Sequence, residues 1–585
     1  MCGIFGVTND QTGHAAQTVL AGLKKLEYRG YDSWGIALQN SVDNTILIEK
    51  HIGKIGNART SLPPGSVAIG HTRWATHGGV TDINAHPHRD CTHRISVIHN
   101  GIVENFQELK TGLKEKKHAF ISETDTEVIA HLIEEELKTK SLLHATLHTF
   151  KQLVGSNAIA VLDGKTGKIM VCRNGSPLVI GFTKVSTYLA SDATALLDKT
   201  NSVYFMDDGE AVEIAGTDVH LYAIDTEQEK KLVPKTIDWK AEEAEKGGYP
   251  HFVLKEMYDQ VHTIPQSLTR HDKTLDAVVT KIREGYRPVM IACGSASYCG
   301  LAAQYLFAQN GIDSFNVGAY EYMPFNSLIS EKSLVFAISQ SGETADTLIA
   351  VRAAKKQGAT IVAVVNAQGT TLERLADYVI PVGAGPEIAV VSTKAFTAQM
   401  GIFVAINAML QTNTSTSFIA DFATWIQKKD LQKQVLALAK KLVEEEHVYV
   451  IGKHSNYPAA LEFALKLKES SYMHAEAFAA GELKHGVISL IQQGTPCVVL
   501  TAHDEVQGEV ISSAMQLKSR GGYIIGIGPE QNSVFDVWIQ TPDNGSTYAL
   551  FYNVVVGQLL GYYLGIGRGA DPDKPRNLAK SVTVK

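Results

Sequence analysis

Residues 333–347 read SLVFAISQSGETADT, an apolar run followed by a hydroxyl-rich turn and the start of a helical pattern. An uninterrupted apolar run predicts a strand that is buried on both faces. Similar runs at Pro288–Cys293 and Thr360–Asn366 surround it, and Thr344–Gln357 has the pattern of an intervening helix. Continuous apolar strands that alternate with helices are typical of a doubly wound parallel sheet with helices on both faces. The sequence therefore predicts an α/β domain here.

The same pattern occurs twice in the chain. Three positions in corresponding predicted strands repeat at offsets of 159, 163 and 162 residues: Val289 and Val448, Val335 and Val498, and Ala363 and Ile525. Near-constant offsets are the mark of a duplicated structural unit. We expect a first α/β domain at 249–430 and a second at 431–570, followed by a tail at 571–585.

Residues 1–224 have a different organisation, with short β-branched strands and few helices. This composition favours sheets packed face to face and covered by helices, an α+β layered domain. The charged stretch 225–248 predicts a linker. The predicted elements are strands at Val67–Gly70, Ile95–His99, Asn157–Val161, Ile169–Cys172 and Val203–Phe205, and helices at Gln17–Leu26 and at Thr126–Leu137 with Asp125 as N-cap.

Composition and charge argue against several classes of protein. The 585 residues are 44% hydrophobic and 20% charged with a net charge of −7, which indicates a globular protein rather than a disordered one. A mildly acidic chain lacks the basic footprint of a protein that binds nucleic acid or anionic membranes. The six cysteines form no C-x-x-C pair, and the N-terminus lacks the pattern of a signal peptide. We therefore expect a cytoplasmic protein.

Two sequence features could suggest a membrane span and a metal site, but we predict neither. Ala549–Gly567 is mostly apolar, but polar residues interrupt it, so a buried helix with close packing at its glycines is favoured over a membrane span. Histidines cluster in one region, but the H-x-H pair there lies on a proline-containing loop without helical carboxylate partners. The sequence thus predicts no metal site among His71, His77, His86, His88, His93 and His99.

The second residue can carry nucleophilic chemistry. Removal of Met1 would leave Cys2 with a thiol and an α-amine whose pKa of about 8 suits a base near neutral pH. Amide hydrolysis also needs oxyanion donors, which Asn100 and the N–H of Gly101 could supply. Arg73 could hold a carboxylate and Asp125 an ammonium group. Each residue alone has an ordinary structural explanation, but together with Cys2 they favour a site for amide hydrolysis by a thiolate.

The turn Ser339–Thr347 predicts a phosphate site, because it presents N–H and O–H donors at a helix N-terminus. It lacks the G-K-[ST] of a P-loop and the G-x-G-x-x-G of a dinucleotide loop, so a monophosphate suits it better than a nucleotide. The corresponding segment of the second repeat, Thr501–Glu505, contains acidic residues instead. We therefore expect phosphate binding in the first repeat only.

Several motifs resemble one family throughout the chain. MCGI, LEYRGYDS, HTRWATHG, HNG and ETDTEVIAHL resemble the N-terminal-nucleophile (class II) glutamine amidotransferases. SQSGETADT, VSTKAFTAQ, LKLKESSYMHAEAFAAGELKHG and the tail segment DKPRNLAKSVTV resemble the sugar isomerase (SIS) domains fused to such a glutaminase. The resemblance implies an αββα Ntn-hydrolase domain, two SIS domains and an ordered tail, although tail composition alone favours a frayed end.

The resemblance also implies an activity. Glutamine would give its amide nitrogen to fructose 6-phosphate, and isomerisation would yield glucosamine 6-phosphate without any cofactor. Catalytic roles would fall to Cys2, Asn100, Gly101, Glu469, Lys580 as the Schiff-base amine, and His485 reaching across a homodimer interface. Substrate-binding positions would be Arg73, Trp74 as an ammonia gate, Thr76, His77, Asp125, Ser339, Gln340, Ser341, Thr344, Val390, Lys466, Lys484 and Ala579.

Departures from the family pattern leave alternatives open. Ala296 stands where the family commonly has a phosphate-binding serine, and Trp34 stands where a small residue is usual. A paralogue that acts on another sugar phosphate or amino-sugar adduct is one alternative, and a non-catalytic sugar-phosphate sensor is another. An amidotransferase with a phosphoribosyl or aspartate-derived acceptor is a third, but the second half has no motif for either acceptor.

Overall fold

The structure is a computed structural model that describes residues 2–40, 42–237, 239, 243, 245–411 and 417–583. The N-terminal half is rich in strands. Its helices are α1 (Ala15–Lys25), α2 (Phe106–Glu115), α3 (Glu127–Glu136) and α4 (Leu142–Gln152). Its strands are β1 (Gly3–Thr8), β2 (Ser33–Asn40), β3 (Thr45–Ile52), β4 (Ala68–Arg73), β5 (His88–Arg89), β6 (Ile95–Gly101), β7 (Asn157–Asp163), β8 (Ile169–Asn174), β9 (Val179–Phe182), β10 (Thr187–Ala190), β11 (Ser202–Phe205), β12 (Glu210–Ala215), β13 (Asp218–Ala223), β14 (Glu229–Lys230) and β15 (Lys235–Thr236).

These strands form two antiparallel sheets that pack face to face. One has the order β15-β11-β9-β10-β1-β4-β2-β3 and the other the order β14-β13-β12-β8-β7-β6-β5. Ile4 of the first sheet and Ile98 of the second share a buried apolar layer between them. Helix α1 covers the outer face of the first sheet, and α3 and α4 cover that of the second. The αββα prediction is therefore confirmed.

The C-terminal half alternates strands and helices. Its strands are β16 (Arg287–Ala292), β17 (Phe315–Gly318), β18 (Ser333–Ser339), β19 (Thr360–Val365), β20 (Tyr378–Pro381), β21 (His447–Gly452), β22 (His474–Ala479), β23 (Pro496–Leu500), β24 (Tyr523–Gly528) and β25 (Val537–Gln540). Its helices are α5 (Phe252–Leu268), α6 (Lys273–Arg283), α7 (Ser295–Gln309), α8 (Ala345–Lys356), α9 (Thr371–Leu375), α10 (Lys394–Gln411), α11 (Ser417–Ile426), α12 (Lys429–Leu442), α13 (Asn456–Ser471), α14 (Gln507–Lys518) and α15 (Ser546–Gly567).

Two parallel sheets with equivalent strand orders confirm the duplication. The orders are β17-β16-β18-β19-β20 and β22-β21-β23-β24-β25. All seven residues of β18 are buried, as an apolar strand between two helical layers requires. The repeated positions lie in the equivalent strand pairs β16 and β21, β18 and β23, and β19 and β24. One continuous apolar core, which includes Phe403 of α10 and Phe551 of α15, joins the two units.

Helix α15 is the one described helix that is long and apolar enough to cross a membrane, and 89% of its most apolar window is buried inside the protein. Its glycines face α13. A Cβ atom at Gly561 would lie 2.8 Å from the carbonyl oxygen of Lys466, and one at Gly565 would lie 2.3 Å from that of Ser470. The predicted close packing at these glycines is confirmed.

The structure corrects some details of the predicted elements. The N-cap of α3 is Thr126 rather than Asp125, whose carboxylate accepts a hydrogen bond from the N–H of Val103 at 2.8 Å. Short strands β14 and β15 lie inside the segment predicted as a linker and pair with the two N-terminal sheets. The predicted boundary at residue 430 falls one residue into α12, because the chain between the two α/β units is itself helical.

Candidate active sites

Cys2 lies at the start of the central strand β1. The N–H of Gly3 donates to Thr72 Oγ1 at 3.1 Å, which fixes the chain beside β4. The N–H of Trp74 donates to Cys2 Sγ at 3.3 Å, and the Asn100 amide donates to the Cys2 carbonyl oxygen at 2.9 Å. Burial raises the pKa of the thiol above its ordinary value. The strand order therefore brings Cys2, Trp74 and Asn100 together.

Arg73 organises the loop that follows β4. Its side chain is buried, and its guanidinium donates to the carbonyl oxygens of His77, Gly78 and Gly79. The loop thereby curls around a fixed positive charge close to Cys2. Asp125, also buried, lies at the entry to α3. Thr76 and His77 are in the same loop, where Thr76 is exposed and His77 is half-buried.

A layer of buried histidines lies next to Asn100, the residue that contacts Cys2. His71 Nε2 lies 2.9 Å from the carbonyl oxygen of His99 and 3.1 Å from Asn100 Oδ1. His71 stacks on His86 with ring centroids 4.1 Å apart. Burial lowers the pKa of His71 to about 3, and it lowers that of His86 well below its ordinary value. Both rings are therefore neutral, and His71 orients the Asn100 amide.

Gly101 follows Asn100 and adopts a backbone conformation that favours glycine. Its φ is +137°, and a Cβ atom there would lie 2.0 Å from the carbonyl oxygen of Ser156. A larger residue would have to displace that backbone. The requirement for glycine at this position is therefore structural, whatever the role of the neighbouring Asn100 side chain.

The predicted phosphate turn follows β18 and opens α8. The Gly342 N–H donates to Ser339 Oγ at 2.9 Å, and Ser339 Oγ lies 3.4 Å from Thr344 Oγ1. Gly342 has a φ of +64°, which lets the turn wind tightly at the helix N-terminus. Ser341 Oγ lies 2.8 Å from Ser581 Oγ in the tail. The turn and the chain terminus therefore form one site.

The tail brings Lys580 into a buried ion pair with Glu387. Lys580 Nζ lies 2.5 Å from Glu387 Oε2, and the lysine side chain is 5% exposed. Burial opposes the charge on Glu387, but Lys580 and the N–H groups of Thr393 and Ala395 outweigh it and hold the pKa of Glu387 below its ordinary value. This arrangement fixes the lysine amine beside the phosphate turn.

Helix α13 adds charged side chains from the second unit. Lys466 Nζ lies 2.6 Å from Glu469 Oε2 and 3.2 Å from Glu462 Oε1. Lys466 also donates to the carbonyl oxygen of Ser392, whose hydroxyl donates to Glu387 Oε2 at 3.2 Å. A hydrogen-bonded chain therefore links Glu469 to Lys580 across the two units. Burial raises the pKa of Glu462 to about 7.

A pocket lies between the two halves. Its wall includes Arg29, whose Nε donates to the Cys2 carbonyl oxygen at 3.3 Å, and also Ser341, Lys580 and Ser581. The tail crosses to the N-terminal half, where Tyr31 donates to the carbonyl oxygen of Pro575 at 3.1 Å. The predicted Schiff-base lysine thus lines this interdomain pocket, and Arg29 connects the pocket wall to the backbone of the predicted nucleophile.

The other predicted site residues are placed less directly. The N–H of Val390 donates to the carbonyl oxygen of Asp573 in the tail, and Ala579 is half-buried beside Lys580. Lys484 and His485 are exposed at the end of a short 3-10 helix, and no described contact brings them to Lys580. Sequence reasoning missed Glu387 and Glu462, because isolated acidic residues give no signal before the fold places them against a lysine.

Comparisons with known proteins agree with this division of the chain. A glutamine amidotransferase domain family matches residues 71–198, and the SIS domain family matches residues 281–409 and 441–549. A solved C-terminal domain of glucosamine-fructose-6-phosphate aminotransferase from Francisella tularensis is 30% identical with a TM-score of 0.50, and the match covers 56% of this chain and 99% of that one.

Relatives match over the whole length. The glutamine–fructose-6-phosphate aminotransferase (isomerizing) of Thermococcus kodakarensis is 40% identical, and that of Clostridium acetobutylicum is 39% identical, with 100% of each chain covered in both alignments. Such identity over complete chains extends to both halves and to the tail. The chain belongs to the glutamine–fructose-6-phosphate aminotransferase (isomerizing) family.

Proposed function

We propose that this chain transfers the amide nitrogen of glutamine to fructose 6-phosphate and isomerises the product to glucosamine 6-phosphate, with release of glutamate. The observation that carries the proposal is a pocket between the two halves that is lined by Lys580 and by Arg29, whose side chain donates to the Cys2 carbonyl oxygen. A glutaminase pocket next to a sugar-phosphate pocket suits an intermediate that water would otherwise protonate.

In the first half-reaction, the free α-amine of Cys2 accepts the thiol proton as the Cys2 sulfur attacks the side-chain carbonyl carbon of glutamine, and the carbonyl π electrons move to oxygen. The Asn100 amide and the Gly101 N–H stabilise that oxyanion. Collapse of the intermediate breaks the carbon–nitrogen bond, and ammonia leaves with a proton supplied by the Cys2 α-amine once Met1 has been removed. Water then hydrolyses the thioester to glutamate. Arg73 and Asp125 orient the substrate through its carboxylate and ammonium groups.

In the second half-reaction, Lys580 condenses with the C2 carbonyl of the open-chain ketose and releases water. Ammonia replaces the lysine at C2, and Glu469 moves a proton between C1 and C2 to give the 2-amino aldose. Ser339, Gln340, Ser341 and Thr344 hold the phosphate. Lys466 and Lys484 lie among the site positions, and His485 of a second subunit assists ring opening in a homodimer.

Ammonia would pass between the pockets through the interdomain space, with Trp74 at its entrance. The Trp74 N–H contacts Cys2 Sγ, so movement of this residue is directly coupled to the nucleophile. The protein acts in the cytoplasm, which suits six cysteines that are all free thiols.

A product assay with glutamine labelled with ¹⁵N at the amide tests the proposal. Fructose 6-phosphate should yield glucosamine 6-phosphate carrying the label, even in the presence of excess unlabelled ammonium. Labelled free ammonia without labelled hexosamine would contradict transfer. A labelled product from another ketose phosphate, but not from fructose 6-phosphate, would favour the paralogue that Ala296 suggests.

A further inference from the structure

Four metal-binding side chains from three separate segments meet on the N-terminal half, away from Cys2. Cys91 lies in the turn between β5 and β6, His118 follows α2, and His131 and Glu134 are one turn apart on α3. One ligand atom of each side chain lies within 4.8 Å of the ligand atoms of the other three. The two histidines are buried and Cys91 is exposed, so solvent reaches the cluster from one side.

Four of the six distances among these ligand atoms match the edges of a tetrahedron around a metal. Cys91 Sγ lies 3.7 Å from His118 Nδ1 and 3.6 Å from His131 Nδ1. Glu134 Oε2 lies 3.0 Å from His118 Nδ1 and 3.2 Å from His131 Nδ1. Ordinary zinc–ligand bond lengths give sulfur–nitrogen edges of about 3.6 Å and nitrogen–oxygen edges of about 3.3 Å.

Both imidazoles are oriented as metal ligands usually are. Each points Nδ1 into the cluster and Nε2 toward a carboxylate outside it. His118 Nε2 lies 2.7 Å from Glu135 Oε1, and His131 Nε2 lies 3.7 Å from Glu127 Oε1. Glu127 is held in turn by the N–H groups of Ile121 and Ser122, both at 2.8 Å. The Glu135 carboxylate fixes the His118 ring and makes its inward nitrogen a better donor, whereas Glu127 lies beyond hydrogen-bond distance of His131 Nε2.

We propose that the N-terminal half binds one Zn²⁺ ion through Cys91, His118, His131 and Glu134. A thiolate with two imidazoles suits zinc and disfavours Mg²⁺ and Ca²⁺, which prefer oxygen ligands. Four protein ligands complete a tetrahedral shell, so the site is structural. It ties the β5–β6 turn and the segment after α2 to α3, the helix that begins just after Asp125.

This site is separate from the histidine-rich segment of residues 71–99. None of His71, His77, His86, His88, His93 and His99 supplies a ligand atom to it. The sequence signal is the H-x-x-E pair at 131 and 134, which places both side chains on one face of a helix. Cys91 and His118 join that pair only through the tertiary fold.

Metal titration of the full-length chain tests the proposal. The protein is purified with a non-thiol reductant, stripped with a chelator and titrated with Co²⁺, whose absorption reports both thiolate ligation and tetrahedral geometry. We expect one equivalent to bind with a thiolate-to-cobalt charge-transfer band, and Zn²⁺ to displace it. Zn²⁺ should also raise the temperature of the first unfolding transition.

Variants separate this site from other thiols and imidazoles. Cys91→Ser should abolish the charge-transfer band and weaken Zn²⁺ binding at least a hundredfold, while circular dichroism stays unchanged because the side chain is exposed. His93→Asn, in the same turn but outside the cluster, should bind as the parent does. A parent chain without the band, or a Cys91→Ser chain that retains it, would overturn the proposal. Neither readout depends on transferase activity.

Discussion

The hydroxyl oxygen of Ser341 lies 2.8 Å from that of Ser581, which is 240 residues later in the chain. The contact joins the turn at the end of β18 to the tail, and it places Lys580 at the predicted phosphate site. The N–H of Ala345, the first residue of α8, donates to the carbonyl oxygen of Val582 at 2.9 Å and extends the junction. The predicted phosphate turn and the tail therefore form one contact surface, although they are far apart in sequence.

Replacement of Cys2 should separate the activities that are predicted for the two pockets. Cys2→Ala should reduce glutamine hydrolysis by at least a thousandfold, because no other described thiol lies beside Arg73 and Asn100. Borohydride trapping of fructose 6-phosphate on Lys580, read by intact mass, should persist. Cys293→Ser, in the first α/β unit, is the matched control and should keep glutamine hydrolysis within about twofold. Equal loss in both variants would refute the assignment.

The Lys580–Glu387 pair should determine imine formation. Glu387→Gln leaves a lysine that is 5% exposed without its acidic partner, and loss of one member of a buried ion pair costs about 3 kcal/mol. We expect the tail to detach and borohydride trapping to fall at least tenfold, with glutamine hydrolysis retained. Glu321→Gln, at an exposed position, should trap as the parent does. Undiminished trapping in Glu387→Gln would exclude this positioning role.

Close packing of α15 on α13 should be sensitive to one methyl group. Gly565→Ala would place a Cβ atom 2.3 Å from the Ser470 carbonyl oxygen, and overpacking of this kind costs about 1–3 kcal/mol. Thermal unfolding of the C-terminal half should therefore begin at a lower temperature. Gly508→Ala on α14, where a Cβ atom would meet open space, should not lower it. Equal midpoints for the two variants would argue against the packing.

The buried histidines should make the N-terminal half sensitive to acid. Burial holds the pKa of His71 at about 3 against an ordinary 6.5, and the pKa of His99 is also lowered. Between these values the unfolded chain binds more protons than the folded chain, so the free energy of unfolding falls as pH decreases below 6.5. Each such imidazole contributes up to about 1.4 kcal/mol per pH unit.

Denaturant titrations between pH 7 and pH 5.5, with the first transition as readout, measure that slope. His86→Asn removes one of the buried imidazoles and should make the slope shallower, whatever its effect on absolute stability. His93→Asn removes an exposed one nearby and should leave the slope unchanged. A His86→Asn slope as steep as that of the parent chain would contradict a neutral, buried His86 ring.

Regular patterns made most of the architecture predictable. The apolar run Leu334–Ile338 predicts strand β18, which extends one residue further at each end, and the repeated offsets predict equivalent strands because duplicated units bury equivalent residues. Helix α3 is one residue shorter at each end than the sequence predicts, because helix termini depend on local capping. Asp125 was misassigned as a cap because a tertiary contact with the Val103 N–H competes for its carboxylate.

The candidate site was harder to predict from the sequence than the fold was. Cys2 and the phosphate turn have local chemical signatures, but Lys580 could be selected only through family resemblance, because a tail lysine has no pattern of its own. Glu387 and the ligands around His131 acquire meaning from contacts between segments far apart in sequence. Such contacts are set by topology, which local periodicity does not encode.

The crossing of the tail has a consequence for biosynthesis. Lys574 pairs with Glu27 near the beginning of the chain, and Ser581 closes the turn at Ser341. A ribosome releases the phosphate turn long before it releases the residues that complete the pocket. A nascent polypeptide can therefore fold its first domain early, but the turn at Ser341 gains its tail contact only after Ser581 has been released. Products truncated before residue 574 would keep Cys2 and lose both tail contacts.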